Sequence, residues 1–134
     1  MTVRVLVVGN NPDNANLAKS VLGPLGHQVI PANGVALALF LAHKNYPHLI
    51  LCDHATIDGS GLDFIREARR DRDLYAIPIV FLASPDCADE TKTQAKAMGI
   101  QGYLQQPVGK KRFLDQVAIY LKEREDDRAP DTPE

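Results

Sequence analysis

The apolar positions of this chain fall into short solid blocks separated by longer mixed stretches, five times over. VRVLVV (3–8) is rich in valine, interrupted only by Arg4, and ends at Gly9-Asn10. HQVIPA (27–32), HLILC (48–52), IPIVFLA (77–83) and QGYLQ (101–105) repeat the pattern at other lengths. Runs of this kind, too short for a helix and lacking polar alternation, predict strands covered on both faces. Between them the period changes. Leu17, Val21, Leu22 and Leu25 follow Pro12 at helical spacing, until Gly23, Pro24 and Gly26 break the helix. VALALFLAHKN (35–45) reads as helix from its Ala and Leu content, closed by Asn45 and Pro47. GLDFIREARRDRD (61–73) is amphipathic, with Leu62, Ile65 and Ala68 on one face. DETKTQAKAMG (89–99) is a polar helix stopped at Gly99, and KKRFLDQVAIYLKERE (110–125) a last one with Phe113, Val117 and Tyr120 or Leu121 aligned.

The order is βα repeated five times. It predicts a three-layer, doubly wound α/β domain, a five-stranded parallel sheet between helices with right-handed crossovers. The domain takes in residues 1–122. The segment EREDDRAPDTPE (123–134) has six acids against two arginines, two prolines and no large apolar residue, and reads as a disordered polar tail or linker stub.

Composition narrows the class. The chain has 134 residues, 45% of them hydrophobic, and a net charge of -2, values of an ordinary globular domain. Bulk charge gives no attraction to nucleic acid or to a membrane surface, and no run approaches the roughly 18 apolar residues of a membrane span. The N-terminal apolar run is too short for a signal peptide, so a cytoplasmic location is expected. Two cysteines, Cys52 and Cys87, are too few for a disulfide framework or a cysteine-built zinc site. His27, His43, His48 and His54 show no metal-ligand spacing and are expected at surface or turn positions.

In open parallel sheets, ligand sites lie beyond the carboxyl ends of the strands. Three loops are placed there: Gly9 to Asp13 after the first strand, Asp53 to Gly61 after the third, and Ala83-Ser84-Pro85 with Gln105-Gln106-Pro107 after the fourth and fifth. Asp53, closing an apolar run, is the salient charge. His54 beside it is expected to point away, as neighbouring strand residues do. Asn11, Asp13 and Asn14 suit the positive end of the first helix, and Asp58-Gly59 suits a turn. The run Lys110-Lys111-Arg112 opens the last helix against its dipole and reads as a solvated face.

The fivefold βα pattern, the Asp closing the third strand, Gly61 eight residues later, PIVFLAS and GYLQQPV together resemble the receiver domain of two-component response regulators, over residues 3 to about 122. The resemblance implies a flavodoxin-like (βα)5 fold with strand order 2-1-3-4-5. It implies that Asp53 stands at the position phosphorylated by a histidine kinase, a reaction in which cations must offset negative charge brought against negative charge. In that family two acids after the first strand hold Mg2+, a hydroxyl ends the fourth strand, and a lysine ends the fifth. Here the corresponding residues are Gly9 and Asn10, Ala83 (with Ser84 adjacent), and Gln106. Tyr103 occupies the position of the family's switch aromatic, and Pro107 that of its cis-proline. The usual proline four residues after the aspartate is Ile57.

The replaced residues are consistent with one another. The family site balances three carboxylates against a lysine and a divalent cation, and here two carboxylates and the lysine are replaced together. The expectation is an atypical, pseudo-receiver type of signalling module that is not an enzyme and needs no cofactor. It would bind protein partners, a histidine kinase or an output domain or protein, through helix 4, strand 5 and helix 5, without nucleic acid or membrane, and with a homodimer open to it. The alternative is a conventional receiver phosphorylated on Asp53, with Mg2+ held by Asp53, Asn10 and the Ala55 backbone. An unrelated flavin or nucleotide binder is disfavoured, because no glycine-rich phosphate loop follows the first strand.

Overall fold

The computed structural model describes residues 3–128. Five strands, β1 (Arg4–Val8), β2 (Gln28–Ala32), β3 (Leu49–Asp53), β4 (Ile79–Ala83) and β5 (Gly102–Gln105), form one parallel sheet in the order β2-β1-β3-β4-β5. They alternate with α1 (Pro12–Leu22), α2 (Val35–Asn45), α3 (Gly61–Arg70), α4 (Asp89–Ala97) and α5 (Lys110–Arg128). No helix among the described residues is long and apolar enough to cross a membrane.

Strand alternation explains why the strand sequences look uniformly apolar. Val5, Val7, Leu49, Leu51, Val80, Leu82 and Leu104 pack with Ala18 and Leu22 of α1 and Phe113, Val117 and Leu121 of α5. Their chain neighbours Leu6, Val8, Ile50, Cys52, Ile79 and Phe81 pack on the other face with Ala38 and Ala42 of α2, Phe64 and Ile65 of α3 and Ala95 of α4. In β3 and β4 every residue is therefore buried, and no polar row survives there. The same parity assigns the site. Asp53 continues the row Leu49–Leu51, and Gln106 continues the row of Leu104, so both are delivered to the α1 side of the sheet.

The structure departs from the sequence reading in several places. β3 runs one residue further, so that Asp53 is itself a strand residue paired in register with Leu82. Ala55–Thr56 and Gly59–Ser60 form a small antiparallel hairpin, whose two-residue strands leave no periodicity to read. α3 stops at Arg70, three residues early, because the Asp71 carboxylate accepts the Asp73 N–H at 2.8 Å and caps a turn instead. His48 is buried, not at the surface, and its Nδ1 accepts the Arg4 N–H at 3.1 Å. At the other end α5 continues to Arg128, taking in the first half of the acidic segment, while residues 129–134 of the expected tail lie outside the described residues.

The turn into α3 fixes the approach of the Asp53 loop. Ser60 caps the helix by accepting the Leu62 N–H at 3.1 Å, and Asp63 reaches back to the Ser60 N–H at 3.0 Å, a complete capping box. That N–H bond, with the neighbouring Arg66, holds the Asp63 carboxyl below the usual carboxylate range. The next residue must be glycine, since a β-carbon on Gly61 would lie 1.8 Å from the Asp53 carbonyl oxygen. Gly61→Ala is therefore expected to lose more than about 3 kcal/mol in urea unfolding, as an unrelieved backbone overlap should. Gly109→Ala, with nothing within 4 Å of the added carbon, should be near neutral.

Candidate functional site

Asp53 ends β3 at the point where the sheet order reverses between β1 and β3, and only 2% of it is exposed. A buried carboxylate needs hydrogen bonds, and Asn14 and His54 supply them. Asn14 Nδ2 donates to Oδ2 at 3.0 Å. The His54 backbone N–H donates to Oδ1 at 2.6 Å, and His54 Nδ1 lies 3.2 Å from the same oxygen. Asn14, itself 4% exposed, is held in turn: its Oδ1 accepts from Gln106 Nε2. The result is a continuous chain from the loop after β5 to the end of β3, Gln106–Asn14–Asp53–His54.

Two of these partners run against the sequence reading. His54 does cooperate with Asp53, because the strand ends at Asp53 and alternation no longer governs the residue after it. Asn14 is not one of the capping residues at the start of α1; Asn11 alone takes that role, accepting the Asp13 N–H at 3.0 Å. Asn14 stands one position further round the helix and turns inward. Its only sequence signal was a polar residue three and four positions before the inward-facing Leu17 and Ala18, on the apolar side of α1.

The other strand-end residues do not meet Asp53 with charge. Gly9 adopts φ +149°, and a β-carbon there would lie 2.8 Å from Asp53 Cβ, so the close crossing of β1 and β3 is sterically reserved for glycine. Asn10 is exposed, and its N–H donates to the Ala55 carbonyl at 2.9 Å. Ala83 is fully buried and offers a methyl group. The Ser84 hydroxyl donates to Asp86 Oδ1 at 2.7 Å, which is the main reason the Asp86 carboxyl sits low, and it is spent within its own loop. Cys52, beside Asp53, is pushed far up by burial and then by the aspartate charge, so its thiol stays protonated.

A cleft of about 420 Å³ opens next to the chain, between the start of α1 and the loops after β4 and β5. Asn14 and Gln106 form part of its wall, with Leu17, Pro85, Pro107 and Val108, and the Gln106–Pro107 bond is cis. Tyr103 points to the opposite, α4 side. Its hydroxyl donates to Gln105 Oε1 at 2.8 Å, Lys92 Nζ donates to the same oxygen at 3.0 Å, and Lys96 Nζ stands 5.0 Å from the ring centroid. The Tyr103 hydroxyl beside Lys92 holds that ammonium above its ordinary pKa. Asp58, expected in a turn, does more: it accepts the Val35 and Ala36 N–H groups at 2.6 and 3.2 Å and caps α2. Away from this site, His43, Asp71 and Asp73 converge at an exposed edge, where the His43 imidazole is already engaged with Asp71 at 2.8 Å.

A sequence model of the response regulator receiver domain matches residues 5–118. The chain belongs to the receiver family. It is 26% identical over 121 residues to the polar-differentiation response regulator DivK of Brucella ovis, covering 90% of this chain and 98% of that one. The protein PilH of Pseudomonas aeruginosa is also 26% identical, over 118 residues, covering 88% and 97%. Among solved structures, the chemotaxis response regulator CheY4 of Vibrio cholerae superposes with a TM-score of 0.80 at 23% identity, covering 90% of this chain and 99% of the other. A CheY-like receiver domain protein from Methanospirillum hungatei gives 0.82 at 20% identity, covering 95% and 99%. The protein is thus a response regulator receiver of two-component signalling.

Mg2+, which receivers use in phosphorylation, fits this receiver's residues poorly. A small hard cation takes oxygen ligands, usually more than one carboxylate. Here one carboxylate is available, and its oxygens already accept N–H groups from Asn14 and His54. Gly9 has no side chain to give. Asn10 and the Ala55 carbonyl lie close by, but are bonded to each other through the Asn10 N–H.

The hydrogen-bonded chain makes its own energetic prediction. Asn14→Ala leaves both Asp53 and Gln106 short of a partner and should destabilise the domain by about 1–3 kcal/mol. Gln106→Ala should cost less on the Asn14→Ala background than in the wild type, a coupling of about 0.5 kcal/mol or more by double-mutant cycle in urea.

Proposed function

We propose that this receiver signals by protein contact, without Mg2+-dependent phosphorylation of Asp53. The observation that carries the reading is the amide chain from Gln106 through Asn14 to Asp53. The acid is retained, and neutral donors stand where phosphoryl transfer asks for cations. A carboxylate attacking a phosphoryl group develops charge on several oxygens at once, and metal and lysine contacts to that charge each contribute on the order of 3 kcal/mol. Gln106 brings dipole but no charge, Ala83 brings no hydroxyl, and Gly9 cannot accept a carboxylate side chain without displacing Asp53.

Partner binding on this reading uses the face of α4, β5 and α5. There Tyr103, half-buried against the core, is tied through Gln105 to Lys92, with Lys96 over its ring. The tie favours a fixed surface, and Ala83 offers no hydroxyl with which Tyr103 could exchange partners. The partner is a protein, a histidine kinase or an output protein, met by an enzymatically inert module.

A second reading, a conventional receiver phosphorylated on Asp53, is favoured by one observation: Asp53 sits at the switch point of the sheet, with Gly61 and the Gln106–Pro107 bond in the family's arrangement. Intact mass after incubation with acetyl phosphate and Mg2+ separates the two. The expected spectrum is unchanged. A gain of one phosphoryl group, absent from Asp53→Asn, would establish the second reading instead.

A further inference from the structure

We infer that this chain self-associates through the outer face of α2, in a two-fold pairing that sets two α2 helices antiparallel. α2 is apolar on nearly every side: VALALFLA precedes the first polar side chain, His43, and no acid occurs in the helix. A helix that packs on one side of a sheet needs an apolar stripe on that side only. Val35, Ala38, Leu39, Leu41 and Ala42 supply it here. Leu37 and Phe40 fall on the opposite side and are 43% and 59% exposed.

The patch continues beyond the helix. Ile57, 66% exposed, donates its N–H to the Asn33 carbonyl, and its side chain lies against Gly34, where an added β-carbon would stand 3.0 Å from Ile57 Cγ1. Gly34 is one turn before Leu37, so Ile57, Leu37 and Phe40 make one apolar strip along α2. Contiguous exposed apolar surface of this kind marks an interaction site.

Charge selects a second copy as the occupant. At the start of the strip stands Asp58, whose carboxylate caps α2 at Val35 and Ala36 and is held ionised by those N–H groups. At its end stands Lys44, with Nζ 5.9 Å from the Phe40 ring centroid. The strip is therefore acidic at one end, apolar in the middle and basic at the other. Turned antiparallel on itself, it brings Lys44 of each copy to Asp58 of the other and Phe40 against Phe40, which is what an isologous interface requires. Three principal apolar side chains per copy is a small contact, of the transient class below about 1,200 Å² in total.

Sedimentation equilibrium of the full chain, from about 10 μM to about 1 mM at low salt, tests this; transient contacts populate that range. The expected result is a monomer–dimer equilibrium weakened at least tenfold by Phe40→Glu, and weakened further by added salt. Lys44→Glu, which faces Asp58 of the partner, should also weaken it, and Asp58→Asn should partly restore the Lys44→Glu variant while keeping a capping oxygen. Ile119→Glu, altering an equally exposed apolar residue on α5, should change nothing. A monomer across the whole range, or a dimer indifferent to Phe40→Glu and abolished by Ile119→Glu, would overturn the inference. Neither outcome bears on the phosphorylation state of Asp53.

Discussion

A carboxylate with almost no exposure can stay in a protein only if every lone pair facing the interior is given a donor or a cation. That requirement at Asp53 organises the carboxyl-terminal edge of this sheet. Asn14 is turned inward from α1 to meet one oxygen, His54 folds back to meet the other, and Gln106 is recruited from beyond β5 to hold Asn14 in place. Glycines on both flanks, Gly9 just after β1 and Gly61 at the start of α3, exist because the Asp53 side chain and its carbonyl come within overlap distance of any β-carbon there. The site is a packed polar cluster, closed by steric contact and closed again by hydrogen bonds.

Such a cluster has consequences for chemistry. The Asn14 amide and the His54 backbone N–H already occupy the carboxylate oxygens that would have to attack a phosphoryl group. The missing cation at Gln106 and the missing acids at Gly9 and Asn10 belong together electrostatically. Restoring a single acid would add uncompensated negative charge beside Asp53, and restoring the lysine alone would displace the amide that now orients Asn14. The differences from the family pattern form one consistent solution, and the proposed contact-based signalling follows from it.

Most of the fold was legible because the sheet is covered on both sides. Unalternating runs such as VRVLVV and HLILC, with helical stretches between them, leave one layered architecture, and the strand-end residues followed from it. What could not be read was set by single side chains. Alternation carried one residue beyond the end of β3 points His54 away from Asp53, whereas the chain has already left the strand there. Polar residues near a helix start usually serve as caps, and only the bond from Asn14 to Asp53 shows that side chain facing inward. The hairpin at Ala55–Thr56 is too short for any period. The role of Asp58 as a cap for α2 joins segments more than twenty residues apart, which no local pattern encodes.

The central proposal is that Asp53, bonded to Asn14 and His54, takes up no Mg2+. Its most direct test is a titration of the isotope-labelled protein with millimolar Mg2+, following the Asp53 side-chain carboxyl and the Asn14 and Gln106 side-chain amides by NMR. The account predicts that these resonances stay in place, apart from a uniform ionic-strength drift. A saturable shift centred on Asp53 and the Gly9-Asn10 backbone would contradict it.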